Sequence, residues 1–241
     1  MSDVATLIWK EWKENLLQGG FRGLPSTLIT LAVFGIVLPL EFGGALLDSP
    51  ATMLLWSWVP LFLTISLLAD AFAGERERHT LETLMASRLS NAAIFLGKVL
   101  ASVLYGYLMM LASVILAILT INIADAGDTP VLMPLDIALG VVTVGFLMCW
   151  LTATIGVHIS LRSTTVKQAQ QIMAIALIVI IFGGAYGVQL IPKELTAGIA
   201  RTLSAYTSTQ LTAMADAILM AIGVITTVAA MKTFKRAEAI I

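Results

Sequence analysis

The sequence predicts an all-α membrane protein with six transmembrane helices, an N-terminal interfacial helix and a cytoplasmic helix between spans two and three. Hydrophobic residues make up 59% of the 241 residues and charged residues 12%, whereas soluble proteins contain about 45–50% and about 25%. The mean hydropathy, +0.94, is correspondingly high. The apolar runs are continuous rather than alternating, which favours spanning helices over a β-barrel.

Six apolar segments come close to the length of about 20 residues that a helix needs to cross a bilayer. The third is long enough to tilt or to project beyond the membrane. Because little of the chain is left for a soluble domain, residues 1–241 are expected to form one transmembrane domain. The predicted spans are Leu24–Leu40, Thr52–Ala73, Ala92–Ile123, Leu135–Ser160, Ala169–Leu190 and Thr212–Met231.

The distribution of positive charge predicts the topology. With the N-terminus inside, all but two of the 14 lysines and arginines fall on the cytoplasmic side, and only Lys193 and Arg201 fall outside. Lysine and arginine are retained on the cytoplasmic side of membrane proteins. Both termini are therefore expected in the cytoplasm. The cytoplasmic residues are Lys10, Lys13, Arg22, Arg76, Arg78, Arg88, Lys98, Arg162, Lys167, Lys232, Lys235 and Arg236.

The first amphipathic segment, residues 3–18, precedes span one. Apolar residues share one helical face, and Lys10 and Lys13 lie opposite. Trp9 and Trp12 are typical of a membrane interface. The segment is predicted to be a helix lying on the inner leaflet, in contact with lipid.

The second amphipathic segment, residues 75–90, joins spans two and three. Leu81, Leu84, Met85 and Leu89 repeat at helical spacing, and charged residues occupy the other positions. A few Gly and Ser residues could have joined the two spans, so a charged helix here indicates a function. Ser90 is predicted to be the N-cap of span three.

The outer connection before span six, residues 191–205, contains a mildly apolar stretch. It is either a plain extracellular loop or a short helix that dips into the outer leaflet as a re-entrant segment. In span five, a run of small residues predicts close packing against another helix of the same chain or of a partner. These small residues are Gly183, Gly184, Ala185 and Gly187.

The residues needed for enzymatic chemistry do not form a recognisable pattern. His79 and His158 lack a neighbouring ligand set, so no metal site is predicted. Gly97-Lys98 lacks the glycine and the Ser or Thr of a phosphate-binding loop, and the single cysteine, Cys149, excludes an internal disulfide. No catalytic residue, bound cofactor or nucleic-acid partner is expected.

Charges inside the predicted spans are sparse. Asp70, Asp136 and Asp216 all lie near a predicted water interface rather than at the bilayer centre. Coupling to ions or protons generally uses ionisable groups within the membrane. An ATP-independent secondary transporter or channel is therefore the weaker alternative, although the residues leave it open.

The stretch from Asp70 to Lys98, reading DAFAGERERHTLETLMASRLSNAAIFLGK, resembles the permease subunits of ABC-2-type transporters. Trp9-Lys10-Glu11 is similar to the entry helix of that family, and the order of elements fits the whole chain. The sequence departs from the family pattern at His79, often glycine, and at Arg88, often proline. The matching residues are Glu75, Glu77, Thr80, Leu81, Glu82, Leu84, Ser90, Gly97 and Lys98.

The resemblance implies an export subunit in the inner membrane of a prokaryote. ATP and Mg would bind to separate ABC ATPase subunits, and a second permease copy, identical or related, would complete the pathway. Segment 75–90 would be the coupling helix. Leu81, Leu84 and Met85 would anchor it to the ATPase or to the chain's own spans. The residues implied in coupling are Glu75, Arg78, Thr80, Leu81, Glu82, Leu84 and Met85, and those of the interfacial helix are Trp9, Lys10, Glu11 and Trp12.

Overall fold

The computed structural model describes residues 3–13, 24–49, 51–87, 89–125 and 130–233. Within these ranges the chain forms helices and their connections, with no strand. The helices are α1 (Asp3–Lys13), α2 (24–42, with a π-helical turn at Val33–Val37), α3 (Ala45–Asp48), α4 (51–77, with a π-helical turn at Asp70–Gly74), α5 (Leu81–Ala86), α6 (Asn91–Ala124), α7 (Leu135–Arg162), α8 (Val166–Leu190), α9 (Lys193–Ser204) and α10 (Ser208–Thr233).

Five helices of the described residues are long and apolar enough to cross a membrane, which confirms an all-helical, multi-span protein. The first predicted span falls on α2, whose apolar part, Thr27–Phe42, is shorter. Its crossing of the membrane stays a prediction, and so does the total of six spans. The five are Leu55–Glu77, Asn91–Ala124, Leu135–Arg162, Val166–Gly183 and Ser208–Lys232.

Helix α7 lies at the centre of the bundle and packs against α4, α6 and α10. Ser208 bonds Asp136 at the start of α7 and α10, and Thr154 lies 3.4 Å from Thr227 further along both helices. The two helices are therefore parallel, so an odd number of crossings lies between them. The predicted topology has this property, because span five alone lies between spans four and six.

Helix α6 has 34 residues and is about 51 Å long, well beyond the hydrocarbon core of about 30 Å. Its N-cap is Ser90, as predicted, because the Ser90 hydroxyl accepts a hydrogen bond from the Ala93 N–H at 3.1 Å. The first turns of α6 support α1. We call the end of the bundle that carries these turns, α1 and α5 the basal end, and the opposite end the distal end.

Helix α1 packs on α6 at the basal end. A Cβ at Gly97 would lie 2.5 Å from the Leu7 side chain, so only glycine lets the two helices come this close. The Trp12 indole donates to the Ala101 carbonyl at 3.0 Å, whereas the side chain of Trp9 is 65% exposed. Helix α1 thus has a protein-facing side and a free side. Residues 14–18 of the predicted helix lie outside the described part of the chain.

The prediction of one continuous helix over residues 75–90 is wrong in its bounds. Glu75–Glu77 is the last turn of α4, and only Leu81–Ala86 forms a separate helix, α5. His79 ends α4 because its φ is +56°, a left-handed conformation. The Thr80 N–H bonds the Glu75 carbonyl and the His79 N–H bonds the Arg76 carbonyl, which is a Schellman motif.

Glycine is the preferred residue at the left-handed position of a Schellman motif. This preference gives a physical reason for the glycine that the ABC-2 pattern often has where this chain has His79. In the outer connection the chain forms a helix, α9, rather than a plain loop. Its dipping into a leaflet stays a prediction.

Candidate functional site

Four charged side chains from three separate segments meet at the basal end. Lys98 Nζ lies 2.5 Å from Glu11 Oε1 and 3.6 Å from Glu75 Oε1, and Lys10 Nζ lies 2.9 Å from the same Glu75 oxygen. The side chains of Lys98 and Glu75 are only 1% and 3% exposed. We call Lys10, Glu11, Glu75 and Lys98 the charge cluster.

The charge cluster is balanced, with two cations and two anions. Lys98 Nζ also lies 5.3 Å from the centre of the Phe72 ring, a cation–π distance. A buried charge is costly unless it is paired and hydrogen-bonded, so each member depends on the others. The cluster therefore joins α1, the end of α4 and the start of α6 into one unit.

Arg76 connects the end of α4 to the end of α7. Its guanidinium donates to the Leu161 carbonyl at 3.1 Å and to the Ser163 carbonyl. The last carbonyls of a helix have no intrahelical partner, and the C-terminus of the helix dipole favours a cation. Arg76 therefore caps α7 both by hydrogen bonding and by charge.

Glu77 connects the same turn to the start of α8. Glu77 Oε1 accepts from the Val166 N–H at 2.9 Å. The first N–H groups of a helix lack intrahelical partners, and the N-terminus of the helix dipole favours an anion. The signs of Arg76 and Glu77 thus match the two helix ends that they meet.

The π-helical turn of α4 is held in place by a serine of α7. The Ser160 hydroxyl accepts from the N–H groups of Phe72 and Ala73, at 3.0 and 3.1 Å, and donates to the Ala69 carbonyl at 2.8 Å. A π-helical turn leaves backbone groups without their usual helical partners, and Ser160 satisfies them. The rotation of the last turn of α4 is therefore fixed against α7.

Arg78 folds back along its own helix. Its guanidinium forms two bonds with the Asp70 carboxylate, at 2.9 and 3.1 Å. Gly74 lies beneath this pair, and a Cβ there would fall 2.0 Å from Asp70 Oδ1. The Arg78 side chain is 50% exposed, so it also faces solvent at the basal end.

Helix α5 has one buried side and one exposed side. Leu81 and Leu84 are 4% and 9% exposed and belong to the main hydrophobic core. Glu82 and Thr83 are exposed. The Thr80 hydroxyl, at the start of α5, bonds the Glu75 carboxylate and so ties α5 to the charge cluster. The side chain of Met85 lies outside the described part of the structure.

The structure brings together most of the residues that the sequence singled out, with altered roles. In the interfacial pair, Lys10 contacts Glu75 directly, and Glu11 is linked to Glu75 through Lys98. The Glu75 carboxylate, expected to contact an ATPase, has its partners inside this chain. Leu81 and Leu84 take the second of the two anchors that the sequence allowed, the chain's own spans.

Sequence reasoning gave Arg76 and Glu77 no specific contact and treated Lys98 only as part of a glycine-lysine pair. A lysine among the apolar residues that begin a spanning helix was a usable signal, because such a charge requires a buried partner. The helix ends that Arg76 and Glu77 meet depend on tertiary structure. Among the described residues, no group of three or more His, Cys, Asp or Glu side chains could hold a metal ion.

The chain is thus a multi-pass helical membrane protein whose helices are joined at the basal end by charged and hydroxyl side chains. The family model of the ABC-2 type transporter matches residues 2–193. The chain belongs to this family, and the match covers the charge cluster, Arg76, Glu77 and α5. It is an ABC-2-type permease. A search of curated proteins finds no match.

Proposed function

We propose that this chain is the membrane permease of an ATP-driven exporter and that a separate ABC ATPase docks on the exposed side of α5. ATP and Mg bind to that ATPase, and this chain carries no catalytic residue of its own. In this proposal the basal end faces the cytoplasm of a prokaryotic cell, as the positive charges predict, and both termini lie there.

The two sides of α5 carry the proposal. A helix of six residues is not stable alone in water, so α5 depends on the burial of Leu81 and Leu84. Its exposed side, with Glu82 and Thr83, is consequently held in a fixed position on a packed core. A partner that contacts this side can displace the core behind it.

In this proposal, some of the residues implied in coupling hold α5 in position and others form the docking surface. Glu75 and Thr80 hold α5 in place from within, and Leu81 and Leu84 anchor it. Glu82, Thr83 and the solvent-facing part of Arg78 form the docking surface. A Leu84→Asp variant would therefore test folding rather than docking.

Copurification of a co-expressed ABC ATPase partner tests the docking surface. Glu82→Arg places a reversed charge in the proposed interface and should reduce ATPase recovery at least about tenfold, while the permease inserts and melts like the wild type. Glu194→Arg is the matched control, because Glu194 is an exposed glutamate in α9 at the other end of the bundle. Full recovery with both Glu82→Arg and Thr83→Arg would remove the docking role from α5.

A second permease copy packs, in this proposal, against the distal half of α8. A Cβ at Gly183 or Gly187 would have no atom within 4 Å, so the predicted close packing of these glycines is not made within the described part of the chain. Small residues allow close approach of helices in a membrane. We propose a homodimer, the simplest closed assembly, and a related permease on the same face is the other outcome.

A further inference from the structure

Four consecutive residues at the end of α4 have their polar contacts on different elements. Glu75 forms an ion pair with Lys98 of α6 and accepts a hydrogen bond from Lys10 of α1, and Arg76 bonds the end of α7. Glu77 bonds the start of α8, and Arg78 bonds Asp70 of α4 itself. A single turn of chain therefore contacts α1, α6, α7 and α8 in addition to its own helix.

Helix α5 joins this turn directly. The Schellman motif and the Thr80–Glu75 contact connect the two directly, so no flexible linker lies between them. On the other side, Ser160 fixes the π-helical turn just before Glu75. The residues Glu75–Arg78 are thus held at both ends.

The order of charges along this turn matches the order of its targets. Glu75 meets the buried Lys98, Arg76 meets the negative end of the α7 dipole, and Glu77 meets the positive end of the α8 dipole. Exchanging Arg76 with either glutamate would place like charges together at two of the three targets. Ordinary surface charges would not have to follow such an order.

We infer that Glu75–Arg78 is a distribution joint, which transmits a displacement of α5 to α1 and α6, to α7 and to α8 through three separate side-chain ties. Glu75, Arg76 and Glu77 are positioning residues, one for each tie. The inference deepens the proposed function by stating where a push from a docked ATPase goes. The ties themselves belong to this chain alone, so they can be tested without the ATPase.

Hydrogen exchange of the full-length permease in nanodiscs can follow the three ties separately. Glu77→Ala should speed exchange in the first turn of α8, residues 166–170, about fivefold and leave α1 unchanged. Arg76→Met should do the same at residues 159–163, and Lys98→Met in α1. Glu82→Ala, which removes an exposed glutamate from the same segment, is the matched control and should leave all three regions unchanged.

The joint itself is tested by disturbing α5 and measuring exchange at a distance. Leu81→Ala removes an anchor of α5 and should speed exchange in α1 and at both ends of the α7–α8 connection. In a Glu77→Ala background, the added effect of Leu81→Ala on residues 166–170 should vanish, whereas the effects on α1 and residues 159–163 should persist. Thr80→Val, a milder change at the α5 contact with Glu75, should give the same pattern if Leu81→Ala proves too unstable.

Two results would overturn the joint. In the first, Leu81→Ala and Thr80→Val speed exchange within α5 alone. In the second, their effect on residues 166–170 survives the loss of Glu77. Neither result depends on whether an ATPase binds, so the joint and the docking proposal fail independently. If Glu77 only caps α8 locally, Glu77→Ala alone would still speed exchange at residues 166–170, but it would not abolish the added effect of Leu81→Ala there.

Discussion

The basal end and the distal half of α8 differ in the kind of contacts that their side chains make. At the basal end, charged and hydroxyl side chains tie α1, α4, α6, α7 and α8 together, and the side chains of Glu75 and Lys98 are buried. In the distal half of α8, large apolar side chains are exposed. Apolar side chains face lipid without cost, whereas charges within the protein need partners.

This difference assigns separate tasks to the two regions. A region fixed by directional bonds keeps one geometry and can transmit a displacement. A region that exposes aliphatic and aromatic side chains can meet lipid or a second copy without internal rearrangement. The exposed residues of α8 include Ile175, Ile178, Val179, Ile180, Phe182, Tyr186 and Leu190.

The largest effect is expected from breaking the charge cluster. Lys98→Met leaves Glu11 and Glu75 buried with one cation between them, which should cost about 3–5 kcal/mol of stability. Adding Glu11→Gln restores the balance of charge and should recover most of that loss. Thermal unfolding in detergent measures both, and a double variant no more stable than Lys98→Met would contradict the idea of a balanced cluster.

Two glycines sharpen the comparison between the regions. Gly97→Ala forces the α1–α6 contact apart at Leu7 and should cost about 1–3 kcal/mol. Gly187 has open space around it among the described residues, so Gly187→Leu should leave the monomer's melting temperature unchanged and lower the dimer fraction. Size-exclusion chromatography with light scattering gives the second quantity, and an unchanged dimer fraction would place the second copy elsewhere.

A smaller effect is expected at the left-handed turn between α4 and α5. His79→Gly removes the steric cost of a φ of +56° on a side-chain-bearing residue and should raise stability by up to about 1 kcal/mol. Chemical denaturation compared with a His79→Ala variant measures it. Equal stability of the two variants would show that the turn carries no such strain.

Apolar run length predicted the all-helical class and the centres of the spans, because continuous hydrophobicity in lipid leaves helices as the stable solution. Ser90 was predictable as an N-cap because its effect is local. The break at His79 was not, since a left-handed residue other than glycine has no strong sequence signal. The ties of Arg76 and Glu77 depend on where α7 ends and α8 begins in space, which spacing along the chain does not reveal.

Photo-crosslinking from the exposed side of α5 tests the central claim most directly. A cysteine at Thr83 in a Cys149→Ser background, carrying a thiol-linked photoprobe, should crosslink to the ATPase subunit in membranes that contain both proteins. The same probe at Glu194 should not. A Thr83 probe that reacts from the periplasmic side, or one that yields no ATPase adduct while the complex transports normally, would contradict the account.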